Sequence, residues 1–152
     1  MGANRQRFDE LLRRRRRTGL VPKVVKAWVA LGAAASPLSA DRQVALVARL
    51  RASGLWRSGV LPEASNRPLS KAIDDFAEPN DLLIVIGWDV DEEPAVLLPA
   101  EAVSRCVADL RSLYPDGFVL LDQPATEALV IDFDEDSSSA VYVGRVPLPT
   151  EE

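Results

Sequence analysis

The apolar residues of the C-terminal half occur in short runs between turn-forming residues, a pattern typical of β-strands. The sharpest run is Leu82–Ile86, five consecutive apolar residues between Pro79-Asn80 and an acidic cluster. Because the run is short and contains β-branched residues, we predict a central strand, buried on both faces, over 81–90. Turn residues delimit four further predicted strands, over 95–98, 118–121, 127–134 and 140–146.

Elsewhere the apolar residues recur at helical spacing. The stripe from Val103 to Leu113 predicts one long helix after Pro99. The N-terminal part predicts helices over 4–17, 21–35, with Pro22 in the first turn, and 39–54, and Pro68 opens a short helix. We expect Thr18-Gly19 to end the first of these helices.

Together these elements predict an α+β fold. N-terminal helices precede a mainly antiparallel sheet of four to five strands, in the order β-β-α-β-β-β, which one long helix covers. Residues 58–67 are rich in Gly, Pro, Ser and Asn and predict a linker. The predicted division is a basic helical segment (1–57), this linker (58–67) and an acidic α+β domain (68–150). The alternative is one compact domain, 1–150.

The two halves carry opposite charge. Residues 1–70 hold 14 Lys/Arg against 4 Asp/Glu, a net charge of +10, and residues 71–152 hold 4 against 19, a net charge of −15. The apolar fraction of 47% is ordinary for a globular chain of 152 residues. The asymmetry therefore bears on the partners of the protein more than on its fold.

Several kinds of chemistry are excluded by composition. The chain has no histidine and a single cysteine, Cys106, so His-based catalysis and ordinary structural zinc sites are absent. Cys106 lies on the apolar stripe of its predicted helix, and we interpret it as a small core residue. No glycine-rich phosphate loop occurs. We therefore predict a protein without catalytic residues, metal or cofactor.

We predict a cytoplasmic location. A single cysteine suits the cytosol, and no apolar run approaches the roughly 20 residues that a membrane-spanning helix needs. The alternative is that residues 1–35 act as a secretory signal, because arginines precede a short apolar stretch and small residues. The interruptions at Pro22 and Lys26 count against that alternative.

Two acidic clusters stand beside predicted strand ends: Asp89, Asp91, Glu92 and Glu93, and Asp132, Asp134, Glu135 and Asp136. Grouped carboxylates can hold magnesium or calcium, so a metal-dependent hydrolase is one alternative. However, no lysine follows Lys71, and no Gly or bidentate Glu completes a calcium loop. We favour a binding surface for a basic protein partner, with Trp88 as an aromatic anchor.

Five consecutive arginines stand out in the N-terminal segment: Arg13, Arg14, Arg15, Arg16 and Arg17. Arginines bind backbone phosphates strongly, so the tract supports a second hypothesis, a nucleic-acid-associated protein. Phe8 is the only aromatic residue nearby, and base stacking normally needs more. The simplest interpretation is a solvated helix face or a segment that neutralises the acidic half of the chain, within one chain or across a dimer. The sequence does not fix the oligomeric state.

The layout of residues 81–146 resembles small bacterial immunity proteins of polymorphic and contact-dependent toxin systems. The segments that carry the resemblance are 81–88, 100–113, 114–118 and 128–134. The resemblance implies a non-catalytic inhibitor that covers the active site of a toxin domain. It implies no position-specific contacts, because that group varies in them, and the basic N-terminal half departs from its pattern.

Overall fold

The fold comes from a computed structural model that describes residues 2–53, 69–87, 93–133 and 141–147. The elements are α1 (Gly2–Ala30), β1 (Ser36–Pro37), α2 (Ala40–Ser53), α3 (Leu69–Phe76), β2 (Leu82–Gly87), β3 (Val96–Pro99), α4 (Ala100–Arg105), a 3₁₀ helix (Val107–Asp109), α5 (Leu110–Leu113), β4 (Gly117–Asp122), β5 (Glu127–Phe133) and β6 (Val141–Pro147). The predicted α+β class is confirmed. The predicted linker, 58–67, lies outside the described residues.

The strands form one antiparallel sheet in the order β1-β3-β2-β4-β5-β6. The predicted central strand lies inside it, with Ile84 opposite Leu97 on one side and Leu121 on the other. The five strands predicted from the hydrophobic pattern are all present. The sequence analysis missed β1, a two-residue edge strand that contains Pro37 and pairs with β3. Such short, proline-containing strands are typical of sheet edges.

Both faces of the sheet are covered by helices. Alternate residues of each strand point to opposite faces, and each face carries its own apolar cluster. Leu83, Val85 and Phe118 face the end of α1, α3 and the α4–α5 segment. Ile84, Ile86 and Val119 face α2, which contributes Leu46, Val47 and Leu50. Helices from the basic N-terminal half therefore share both cores with the sheet.

The first two predicted helices are a single helix, α1, of 29 residues. Thr18-Gly19 does not end it, and Pro22 lies inside it rather than at a helix start. Glycine lowers helix stability by about 1 kcal/mol without forbidding the conformation. Proline removes one hydrogen bond of the ladder. Packing of Trp28 and Val24 against the core offsets these costs by holding the C-terminal part of α1.

The single long helix predicted after Pro99 is three consecutive pieces, α4, the 3₁₀ helix and α5. The change occurs at Cys106, where φ is −93° and ψ is 11°. The Cys106 N–H is shared between the carbonyls of Ala102 and Val103, which tightens the turn. Cys106 itself is buried, as predicted for a small core residue, and its Sγ lies 3.7 Å from the Leu31 carbonyl oxygen.

Helix α2 is fixed to the sheet by its first turn. Ser39 caps the helix, because its Oγ accepts a hydrogen bond from the Arg42 N–H at 3.3 Å. One turn later, the buried amide of Gln43 forms two hydrogen bonds to the chain that leads into β3. Its Nε2 donates to the Glu93 carbonyl at 2.7 Å, and its Oε1 accepts from the Ala95 N–H at 3.0 Å. The side chain thus provides hydrogen-bond partners for two backbone groups of this segment.

Candidate functional site

Five exposed carboxylates gather where α3 turns into β2 and where α4 begins. We call these residues the acidic patch: Asp74, Asp75, Glu78, Asp81 and Glu101. The first two belong to α3, the next two to the turn after it, and Glu101 to the first turn of α4. The patch therefore draws on three parts of the fold and was not anticipated from the sequence.

Hydrogen bonds of the backbone connect the segments that carry the acidic patch. The Glu101 N–H donates to the Pro79 carbonyl at 3.0 Å, and the Ala100 N–H donates to the Asp81 carbonyl at 2.8 Å. These two bonds join the start of α4 to the turn before β2. Asp81 Oδ2 also accepts from the Glu78 N–H at 3.1 Å. The positions of the carboxylates are thus set by backbone hydrogen bonds.

Two side-chain contacts connect the patch to neighbouring groups. Ser104 Oγ donates to Asp74 Oδ1 at 3.2 Å. Arg105 Nη1 lies 3.7 Å from Glu101 Oε1, and both side chains are more than half exposed. Such a surface pair contributes little to stability. Arg105 Nη2 also donates to the Gly32 carbonyl at 3.1 Å, which fixes α4 to the end of α1.

Most of the sequence-predicted partner-binding residues lie outside the described residues: Trp88, Asp89, Asp91, Glu92, Asp134, Glu135 and Asp136. The backbone of Asp132 is described and pairs with Gly117 and Tyr142 in the sheet. Its side chain is not described. The contribution of these residues to a binding surface stays a prediction.

Glu93 is the one member of the predicted acidic clusters whose side chain is described, and it is turned inward. Its Oε2 is buried. The carboxylate occupies the space that a side chain at Gly87 would need, so a larger residue there would displace the end of the Glu93 side chain. In this position Glu93 acts electrostatically on Tyr114. The contacts described for the Glu93 side chain are therefore internal to the protein.

The arginine tract is divided by the helix that carries it. Arg13, Arg15 and Arg16 are exposed, whereas Arg17 is buried, with a relative exposure of 9%. The side chain of Arg14 lies outside the described residues. The five arginines therefore do not share one face, because consecutive residues of a helix point in different directions. Phosphate binding by the tract stays a prediction.

A buried aromatic group joins α1 to the sheet. The Trp28 Nε1–H donates to the Tyr114 hydroxyl at 3.3 Å, and the Tyr114 and Phe118 ring centroids are 5.6 Å apart. Burial raises the pKa of the Tyr114 phenol to about 12. The hydrogen bond from Trp28 acts in the opposite direction, and the Glu93 carboxylate raises the pKa further. Tyr114 is thus a neutral structural group at physiological pH.

The raised pKa of Tyr114 predicts a loss of stability in strong alkali. An unfolded tyrosine ionises near pH 10, so between pH 10 and 12 the unfolded state binds fewer protons than the folded state. Below pH 10 the neutral Tyr114 phenol makes its full contribution to the free energy of unfolding. Up to about 3 kcal/mol of this contribution is lost by pH 12. The measurement is urea unfolding of the protein and of Tyr114→Phe at several pH values, because effects of alkali that both proteins share cancel in the difference. We expect the difference in unfolding free energy between them to shrink above pH 10; a constant difference contradicts the assignment.

A cleft of about 200 Å³ lies between α2 and the β4–β5 turn. Leu46, Ile84 and Ala125 contribute apolar surface to it, and Arg42 and Arg49 also line it. Arg49 Nη1 donates to the Pro124 carbonyl at 3.2 Å, which ties α2 to the turn. The residues that line the cleft include neither a carboxylate nor a thiol, so they offer no acid–base pair or nucleophile.

Over the part of the chain that the structure describes, the acidic side chains do not converge into a group able to hold a metal ion. The described helices also include none that is long and apolar enough to cross a membrane. Comparisons of the chain with protein-family models, curated proteins and solved structures find no match.

Proposed function

We propose that the protein is a non-enzymatic binding protein that uses the acidic patch to bind a basic protein. The observation that carries the proposal is the gathering of five exposed carboxylates on a framework of backbone hydrogen bonds. Clustered charge of one sign attracts an oppositely charged partner and accelerates its association. Residues 71–152 carry a net charge of −15, which has the same sign as the patch.

The finer form of the proposal is an immunity-like inhibitor of a basic toxin domain. It rests on the resemblance of residues 81–146 to immunity proteins and on the backbone hydrogen bonds that join the segments carrying the patch. A surface already held in place loses little conformational freedom on binding, which favours a tight complex. The part that the predicted clusters, Asp89–Glu93 and Asp132–Asp136, play in binding stays a prediction.

The test is affinity capture from a nuclease-treated lysate of cells that naturally produce the protein. The variant is Asp74→Asn, Glu78→Gln and Glu101→Gln, which removes three charges with minimal change of shape. The matched control is Asp41→Asn, Asp109→Asn and Asp116→Asn, which removes three exposed carboxylates elsewhere.

We expect the unmodified protein and the control to retain the same basic protein at low salt, and the patch variant to lose most of it. Equal capture by all three proteins would show that the acidic patch is not the binding surface. Capture of no basic protein by any of them would contradict the proposed function itself.

A further inference from the structure

Helix α1 has an inner face that is defined by burial. Arg17 and Trp28 are buried, and Leu20, Val21 and Val24 are half-buried. With 3.6 residues per turn, these five residues fall within roughly 100° of one another around the helix axis. The buried and half-buried residues before and after Pro22 share one face, so the proline does not rotate one part of α1 relative to the other. The opposite face of α1 points away from the core.

That opposite face carries a row of cations, which we call the outer basic face: Arg5, Arg15, Arg16, Lys23 and Lys26. All five residues are exposed. They fall within roughly 100° of one another, centred about 150° from Trp28 and Arg17. From the first to the last they span about 32 Å along the axis. The relevant unit is therefore a helix face rather than the run of consecutive arginines.

We propose that the outer basic face binds the phosphate backbone of nucleic acid. The charge complementarity is strong, because α1 holds nine Lys/Arg against two Asp/Glu. A row of about 32 Å is close to one turn of duplex, so several phosphates lie within reach of one helix. Contacts of this kind fix position without reading sequence. This binding is independent of the acidic patch and goes beyond the proposed function.

The arrangement of apolar residues favours nucleic acid over a lipid surface. Phe8 and Leu11 are exposed by 61% and 56%. A helix that lies in a membrane interface separates its apolar face from its basic face. In α1, Phe8 instead lies on the same side as Arg15 and Lys26, so inserting it into lipid would carry cations with it. Beside a nucleic acid, the same ring can contact sugars or an unstacked base.

The test is fluorescence anisotropy with a mixed-sequence 20-base-pair DNA duplex and a 20-nucleotide single-stranded RNA. The variant is Arg5→Gln, Arg15→Gln, Lys23→Gln and Lys26→Gln. The control is Arg7→Gln, Arg13→Gln, Arg42→Gln and Lys71→Gln, which removes the same charge from exposed positions off the outer face. Circular dichroism checks that both variants retain their helix content.

With up to five phosphate contacts, the slope of log K against log salt for the duplex should reach about −4.5 for the unmodified protein. We expect the outer-face variant to bind at least tenfold more weakly at low salt and with a slope smaller by about 3.6, because four of the five contacts are removed. The control should stay within about threefold of the unmodified protein, because charges off the face lie farther from the phosphates.

Three results would overturn the proposal. Equal weakening by the two variants would show that net charge alone is responsible. Binding to vesicles of anionic and neutral phospholipid without binding to either nucleic acid would assign the face to membranes. Salt-sensitive self-association without nucleic-acid binding would assign it to the acidic patch of a second copy. Each of these leaves the capture experiment on the acidic patch unaffected.

Discussion

Replacing Trp28 with alanine should lower the free energy of unfolding by about 3–5 kcal/mol. Trp28 is fully buried and packs on the core between α1 and the sheet. Its loss leaves a cavity the size of an indole and removes the hydrogen bond to the Tyr114 hydroxyl. Because Trp28 anchors the C-terminal part of α1, we also expect the variant to lose helix content before the sheet unfolds.

Urea unfolding followed by circular dichroism measures this effect. Val29→Ala is the matched control, since Val29 is the next residue of the same helix and is 57% exposed. It should change the unfolding free energy by less than about 0.5 kcal/mol. If Trp28→Ala costs no more than Val29→Ala, α1 is not anchored where the structure places it.

Replacing Gln43 with alanine should cost about 2–4 kcal/mol. The substitution removes little apolar surface, so the effect comes from the two backbone groups that lose their partner. The Ala95 N–H donates to Gln43 Oε1 and the Glu93 carbonyl accepts from Gln43 Nε2, and a buried backbone group that loses its hydrogen bond is costly.

Gln43→Glu sharpens the prediction, because the carboxylate still accepts from the Ala95 N–H but cannot donate to the Glu93 carbonyl. We expect it to be at least as destabilising at neutral pH as Gln43→Ala. Arg42→Ala, at the exposed neighbouring position, is the control and should change stability by less than about 0.5 kcal/mol. Thermal unfolding of all three variants decides the matter, and equal melting temperatures would contradict the bridging role of Gln43.

The sheet could be predicted from the sequence because its signal is local. Short apolar runs such as Leu82–Ile86, separated by turn residues, can only bury themselves as strands, and the observed bounds differ from the predicted ones by a few residues. The length of α1 could not be predicted, because Gly19 and Pro22 are local stop signals that packing of Trp28 overrides. The break at Cys106 likewise depends on packing against the end of α1.

The acidic patch was missed for a related reason. Asp74 and Asp81 look like ordinary exposed residues of a helix and a turn, and Glu101 is distant from them in sequence. The hydrogen bonds from Ala100 and Glu101 to the turn before β2, and from Ser104 to Asp74, bring them together in the fold. The arginine tract shows the converse case, because five residues that are adjacent in sequence are distributed around the helix, and Arg17 is turned inward.

The most direct test of the central claim, that the acidic patch attracts a basic protein, is the association rate measured by stopped-flow with the partner identified by capture. We expect an association rate constant that falls steeply with salt for the unmodified protein and for the Asp41/Asp109/Asp116 control. For the Asp74/Glu78/Glu101 variant we expect a rate constant that is roughly tenfold lower at low salt and much less sensitive to salt. Three proteins with the same rate constant at every salt concentration would contradict it.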